Sequence, residues 1–344
     1  MRRIDAADEA QLFATIDRWV EREVAPRVKE FDHADKWPAE IVEQMKELGL
    51  FGATVSQDYG GLGLPATTYA QIVMKISSVW MAITGIFNSH LMLALAVEKF
   101  GTEPQRRHWL PKFASGEVRG GLALTEPNAG TDLQAIRMTA RRDRGDYVIN
   151  GTKTWISNGI EGSCFALLVK TNPEASPRYS GMSLFIAPKG PGFTVGRKLE
   201  KLGYKSIDSG ELVFQDYRVP ADHLIGEVEG RGFTQVAGGL ELGRINVAAR
   251  GVGIAEAHRI AGETKEAEKV LGKLASSGDS SADYWAEKAN LAAIDESASS
   301  EELNILSHPN IGQLYRCKVE ELESVLTGPD ATQAMDLIRS MIER

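Results

Sequence analysis

Only two cysteines, Cys164 and Cys317, occur in 344 residues. They form neither a disulfide framework nor a CxxC pair, which excludes a disulfide-stapled scaffold and fits a reducing compartment. The six histidines stand singly, without the spacing of metal ligands, so no metal centre is expected. Excess basic charge is missing too. A net charge of −8 leaves no polyanion-seeking surface, and no nucleic-acid partner is expected. A membrane span wants about 20 apolar residues. The most apolar stretch, MAITGIFNSHLMLALAV, is interrupted at its middle by Asn88, Ser89 and His90. It reads as the buried helix of a core, and no membrane partner is expected. The opening MRRIDAADEAQLF turns acidic at once, unlike a signal or transit peptide, so the expected location is cytoplasmic.

What remains is an ordinary globular balance, 43% hydrophobic and 25% charged, in a chain long enough for about two domains or one large layered unit. Four segments follow one another. Residues 1–118 read as an α-helical N-terminal domain. Leu12, Ile16, Trp19, Val20 and Val24 recur at helical spacing, and Pro38 and Gly49 bracket a helix in WPAEIVEQMKELGLFG. Residues 119–228 change period. Arg144-Gly145 and Asn150-Gly151 are turn signals between β-prone runs, and short strands such as CFALLVKT and ELVFQDYRVP predict an antiparallel β domain, a sandwich or barrel. Residues 229–258 return to helix, apolar on nearly every face, as expected of a helix set between other layers. Residues 259–344 form an acidic helical tail. Between 265 and 344 there are 8 Lys/Arg and 15 Asp/Glu, and a stripe of Ile311, Leu314, Tyr315, Val319, Leu322 and Leu326 predicts a short helical hairpin.

Three stretches could carry chemistry. In GGLALTEPNAGTD a strand, LALT, runs into a turn whose small residues let backbone N–H groups approach an anion, with the Thr131 hydroxyl beside them. A plain tight turn is the competing reading. In GTKTWISNG, Trp155 and Ser157 stand two apart, on the same side of a strand, where a flat ring could stack and hydrogen-bond. Taken alone, a tryptophan buried in a sandwich core is the commoner outcome. In GLELGRINVAARG, Arg244 is either a buried structural cation paired with Glu241 or another acid, or a group that orients a polar substrate or positions the active-site helix.

Taken in order, FGATVSQDYGGLGL, LTEPNAGTD, INGTKTWISNG, KLGYKSIDSGELVFQDYRVPADHLIG and GRGFTQVAGGLELGRINVAARGVGIAEA resemble the acyl-CoA dehydrogenase family of flavoproteins over residues 1 to about 257. The resemblance implies an α+β fold: a helical N-domain, a β domain and a C-terminal helical domain, here incomplete or replaced. It implies FAD as cofactor, with Leu122, Ala123, Leu124 and Thr125 along the flavin and Gly130 and Thr131 at the pyrophosphate. Trp155 would stack on the ring system, followed by Ile156, and Ser157 would hydrogen-bond near N5. Thr131, Leu240, Glu241 and Arg244 would meet the acyl-CoA. The implied reaction is α,β-dehydrogenation: a carboxylate removes the α-proton, a hydride leaves the β-carbon, and the electrons pass to an electron-transfer flavoprotein. A dimer or tetramer is the implied assembly if the C-domain is functional.

Two departures bear on that expectation. The family's base is a glutamate, in most members late in the C-terminal domain within a Tyr-Glu-Gly type motif that this sequence lacks after residue 258. In a subset it stands at the position of Gly243, and Glu241, two residues away on a helix, points about 200° elsewhere. The catalytic base is therefore unidentified. The family's QR…FG element is also replaced, by AHRIAGETKEAEKVLGKLASS, and residues 265–344 resemble the C-terminal helical region of large serine recombinases. Two readings stay open. One is a working flavin dehydrogenase with an unusual C-domain. The other is a truncated or fused, non-catalytic remnant with at most weak FAD or CoA binding, favoured by the narrow apolar stripes that the tail offers to an all-apolar helix.

Overall fold

The computed structural model describes residues 4–262 and, beyond them, Lys269. The chain divides into two compact units, Met1–Ile254 and Ala255–Arg344. In the first, α1 (Ala6–Trp19) starts where the Asp5 carboxylate accepts from the Ala7 N–H, and it buries Ile16 and Trp19. After α2 (Val28–Ala34), α3 (Ala39–Glu47) follows Pro38, buries Ile41, Val42 and Met45, and stops before Gly49, whose φ of 72° no β-carbon opposes. The apolar stretch falls in the second half of α4 (Ala66–Phe100), which bends at Trp80 (φ −150°, ψ 90°). By length and composition α4 could cross a membrane, yet 83% of its most apolar window is buried within the fold. The shorter α5 (Glu103–Ala114) opens with a capping box between Thr102 and Gln105.

The polar residues that interrupt α4 face inward. His90 is fully buried and donates from Nε2 to the Phe113 carbonyl at 2.9 Å, while its Nδ1 accepts from the Gly120 N–H at 3.3 Å. It thereby joins α4 to the end of α5 and to the first residue of the sheet. Burial holds the ring neutral, its pKa pushed down to about 4.

Seven strands make one sheet: β1 (Gly120–Ala123), β2 (Thr139–Asp143), β3 (Asp146–Ser157), β4 (Cys164–Lys170), β5 (Met182–Pro188), β6 (Phe193–Lys198) and β7 (Ser209–Pro220). The path is β1-β4-β2-β3-β7-β6, with β5 on β4. Most pairings are antiparallel, as the turn signals predict, but β4 runs parallel to β1 and to β2. The continuous apolar run of β4 has a simple cause. Ala166 and Leu168 pack toward the helices, Phe165, Leu167 and Val169 toward a second core with Phe185, Phe193 and Phe214, and all are buried.

Arg144-Gly145 forms the β2–β3 turn, both residues with positive φ. Asn150-Gly151 does not turn the chain. It is a register shift inside β3, where Asn150 Oδ1 accepts from the Asp216 N–H at 2.8 Å and Gly151 takes a φ of 142°. A dipeptide that favours positive φ suits a bulge as well as a hairpin, and the partner strand decides between them.

The last described helix is α6 (Gly232–Ile260). Among the described residues, the first six turns are covered on one face. Gln235, Gly239, Leu242, Gly243, Asn246 and Ala249 are buried, while Thr234, Ala237, Glu241, Arg244 and Val247 recur at helical spacing on an exposed face. In the second unit the helix continues through His258 and stops before Gly262 (φ 76°), with Arg259 paired to Glu256. The tail hairpin and the recombinase-like segment lie outside the described residues.

Candidate functional site

The two stretches singled out in the β domain come together. β1 ends at Ala123, two residues short of the end of the expected LALT strand at Thr125. From there the backbone is held by β3: the Thr154 N–H donates to the Thr125 carbonyl at 2.8 Å, and Lys153 Nζ donates to the Leu124 carbonyl at 2.8 Å. Glu126 and Ala129 close a tight turn by exchanging backbone bonds of 2.8 and 3.1 Å. Beyond it Gly130 and Thr131 are exposed, while Ala123 and Leu124 are buried and Leu122 and Thr125 partly so. A Cβ built at Gly130 would meet only Thr125 Cγ2, at 3.8 Å, so this turn is open to an approaching group.

Trp155 is 56% exposed. Its φ is 59°, and the β3–β7 register shifts between Lys153 and Ile156. Both features depart from expectation. The bulge interrupts the regular strand, and the indole lies outward rather than in the core. Ile156 takes the buried position and Ser157 is half-buried. Asn158 follows, also at positive φ, and its Nδ2 donates to the Ile86 and Gly120 carbonyls, both at 2.8 Å.

Lys153 and Glu126 stood inside the quoted motifs without being singled out. They form an ion pair of 2.9 Å, the lysine side chain fully buried and the carboxylate nearly so. The carboxylate also accepts from the Arg137 and Met138 N–H groups, at 2.7 and 3.1 Å. Burial pulls the Lys153 pKa down to about 8, opposed by Glu126. A charged residue at a strand position that faces the core was the available signal. Its partner 27 positions away was not legible from spacing.

On α6 the expected substrate residues are differently disposed. Leu240 is half-buried, and Glu241 is exposed and paired with Lys99 at 3.2 Å. Arg244 is exposed and forms no ion pair among the described residues, so the buried Arg244–Glu241 pair is not formed. Gly243 is buried beneath Met92, whose Sδ would stand 2.6 Å from a Cβ at that position.

Residues 6–117 match the acyl-CoA dehydrogenase N-terminal domain and residues 121–217 the acyl-CoA dehydrogenase middle domain. Similar curated proteins include the (2S)-methylsuccinyl-CoA dehydrogenase of Cereibacter sphaeroides, 34% identical over 74% of this chain and 48% of that protein. Another is the mitochondrial short-chain specific acyl-CoA dehydrogenase of Bos taurus, 38% identical over 70% of this chain and 58% of that protein. The match thus spans about half to three fifths of these relatives. Among solved structures, an acyl-CoA dehydrogenase from Geobacillus kaustophilus superposes with a TM-score of 0.71 at 26% identity, covering 99% of this chain and 100% of that one.

Proposed function

The chain belongs to the acyl-CoA dehydrogenase family, and from that premise we propose that it is an FAD-dependent oxidoreductase that introduces an α,β double bond into an acyl-CoA thioester. One observation carries the reading: a half-exposed indole stands on a strand bonded to an open turn of small and hydroxyl residues. These residues fit the cofactor. In this reading Leu122, Ala123, Leu124 and Thr125 line the flavin ring, Trp155 stacks on it, Ile156 supports the strand from the core, and Ser157 bonds to the ring edge. Gly130 and Thr131 hold the pyrophosphate through backbone N–H and hydroxyl donors. Bound there, FAD supplies the redox capacity that no side chain has, as acceptor of the β-hydrogen. Thr131, Leu240, Glu241 and Arg244 contact the acyl-CoA, and the Arg244 guanidinium, which forms no ion pair among the described residues, suits a polar or anionic part of it. An electron-transfer flavoprotein as acceptor, a homodimer or homotetramer and a cytoplasmic setting complete the proposal, all resting on family resemblance.

A second reading, FAD or CoA bound without turnover, is favoured by Gly243. No carboxylate stands there, and Met92 occupies the space a side chain would enter. Purified protein titrated anaerobically with a panel of acyl-CoAs separates the two. Stoichiometric flavin whose visible absorbance bleaches supports the dehydrogenase. Bound flavin that never bleaches supports binding without turnover, failure to bind FAD overturns the dehydrogenase, and failure to bind either FAD or acyl-CoA overturns both.

A further inference from the structure

The ion pair inside the candidate site does more than fill a core. Every polar bond it makes ends on the segment that carries the expected flavin residues. Lys153 Nζ holds the Leu124 carbonyl and the Glu126 carboxylate, at 2.8 and 2.9 Å. Glu126 in turn accepts from the Arg137 and Met138 N–H groups, closing the loop of residues 126–138 that contains Gly130 and Thr131. Two residues beyond Lys153, Trp155 is held at a φ of 59°, a conformation that is strained for a bulky residue and persists only where neighbours over-determine it. Asn158 provides the second hold, through the Gly120 and Ile86 carbonyls. The indole is thus suspended between two buried anchors, one of which also shapes the turn.

Burying an ammonium and a carboxylate is costly, and apolar residues of similar volume would fill the same space at less expense of free energy. What they would not do is orient a carbonyl, two N–H groups and a bulged strand together. We propose that Lys153 and Glu126 are positioning residues for flavin: the pair sets the 122–131 segment and Trp155 in the mutual geometry that FAD binding requires. The inference rests on the proposed function for the identity of the ligand, while the positioning can be read without it.

The test compares wild type with Lys153→Met, Glu126→Gln and a control, Leu184→Ala, which removes a buried side chain of the same sheet remote from these bonds. FAD itself is the probe, titrated by quenching of its fluorescence. Loss of a bond to a buried charged group is worth about ten-fold or more in affinity. Both site variants are expected to weaken FAD by at least about ten-fold, with the control within about two-fold. Wild-type affinity is expected to fall as pH rises through about 8, where Lys153 loses its proton, and Lys153→Met is expected to lack that step. Variants that fold and bind FAD like wild type overturn the proposal. If they fail to fold, amide hydrogen exchange on wild type decides. Peptides covering 122–138 and 153–158 are expected to lose protection above pH about 8, relative to β5 and β7 and after correction for intrinsic rates. Unchanged protection overturns the proposal. A wild type that binds no FAD sinks the proposed function, and the exchange experiment then still reports whether the pair orders the two segments.

Discussion

Lowering the pH from 7 to 5 should remove about 2 kcal/mol of stability through one side chain, His90. The folded ring is fully buried and takes a proton only near pH 4, against an ordinary value of 6.5. Between those values the unfolded chain binds the proton and the folded chain does not, so stability falls as pH falls. The structural reason is that both ring nitrogens are committed: Nε2–H donates to Phe113, and Nδ1 must stay bare to accept from Gly120. Protonation would set an N–H donor against another N–H donor in a pocket walled by Phe51 and Phe113. The perturbation is acid, with His90→Gln as the comparison. Glutamine keeps a donor and an acceptor but does not titrate. It should lower Tm at pH 7 through imperfect packing, at a cost of roughly 1–3 kcal/mol. From pH 7 to 5, however, wild type should lose about 2 kcal/mol more than the variant, about 4 °C in Tm. His223, also held below its ordinary value by burial, contributes alike to both proteins and cancels in the difference. Equal Tm losses for the two proteins across this window would refute the reasoning, as would NMR evidence that the His90 ring is protonated at pH 5.

Three further outcomes can be checked with small sets of variants. Trp155→Ala should leave Tm within a degree or two, because the indole is more than half exposed, yet weaken FAD about ten-fold by loss of stacking; flavin titration beside thermal denaturation reads both. Gly243→Glu should destabilise by about 1–3 kcal/mol against the Met92 side chain, and Met92→Ala in the same chain should restore most of it. Additive Tm losses in that double variant would show that the two positions do not share the space. Gly120→Ala should cost about 3 kcal/mol or more, since a Cβ there would stand 1.4 Å from the Cys164 carbonyl oxygen and part β1 from β4, whereas Gly190→Ala, with nothing within 4 Å, should stay within about 0.5 kcal/mol in the same melting assay.

Much of this architecture was legible before any coordinates. Pro38 and Gly49 bracket α3, and Arg144-Gly145 turns β2 into β3. The motifs LTEPNAGTD and GTKTWISNG, far apart in their readings, meet in the fold through the Thr154–Thr125 and Lys153–Leu124 bonds. Less legible was the detail inside those motifs. Asn150-Gly151 offers positive φ to a hairpin or to a bulge, and only pairing with β7 selects the bulge. Trp155 has the composition of a core residue and becomes exposed because the register slips beside it.

The sequence by itself determined the order of helix, sheet and helix, the bounds of a few elements such as α3, and the family to which they belong. Those signals act over a few residues: a period of 3.6 or 2, a side chain that caps the next turn, a backbone angle that glycine permits. Tertiary structure alone decided which residues meet across long separations. Lys153 acquires its role from Glu126 and Leu124, His90 from Phe113 and Gly120, and Gly243 from Met92. The same decision left one face of α6 covered and Arg244 on the other. Burial, the strength of a buried charge pair and the pKa of a buried ring depend on what surrounds a group in space, and those surroundings exist only once distant parts of the chain have packed together.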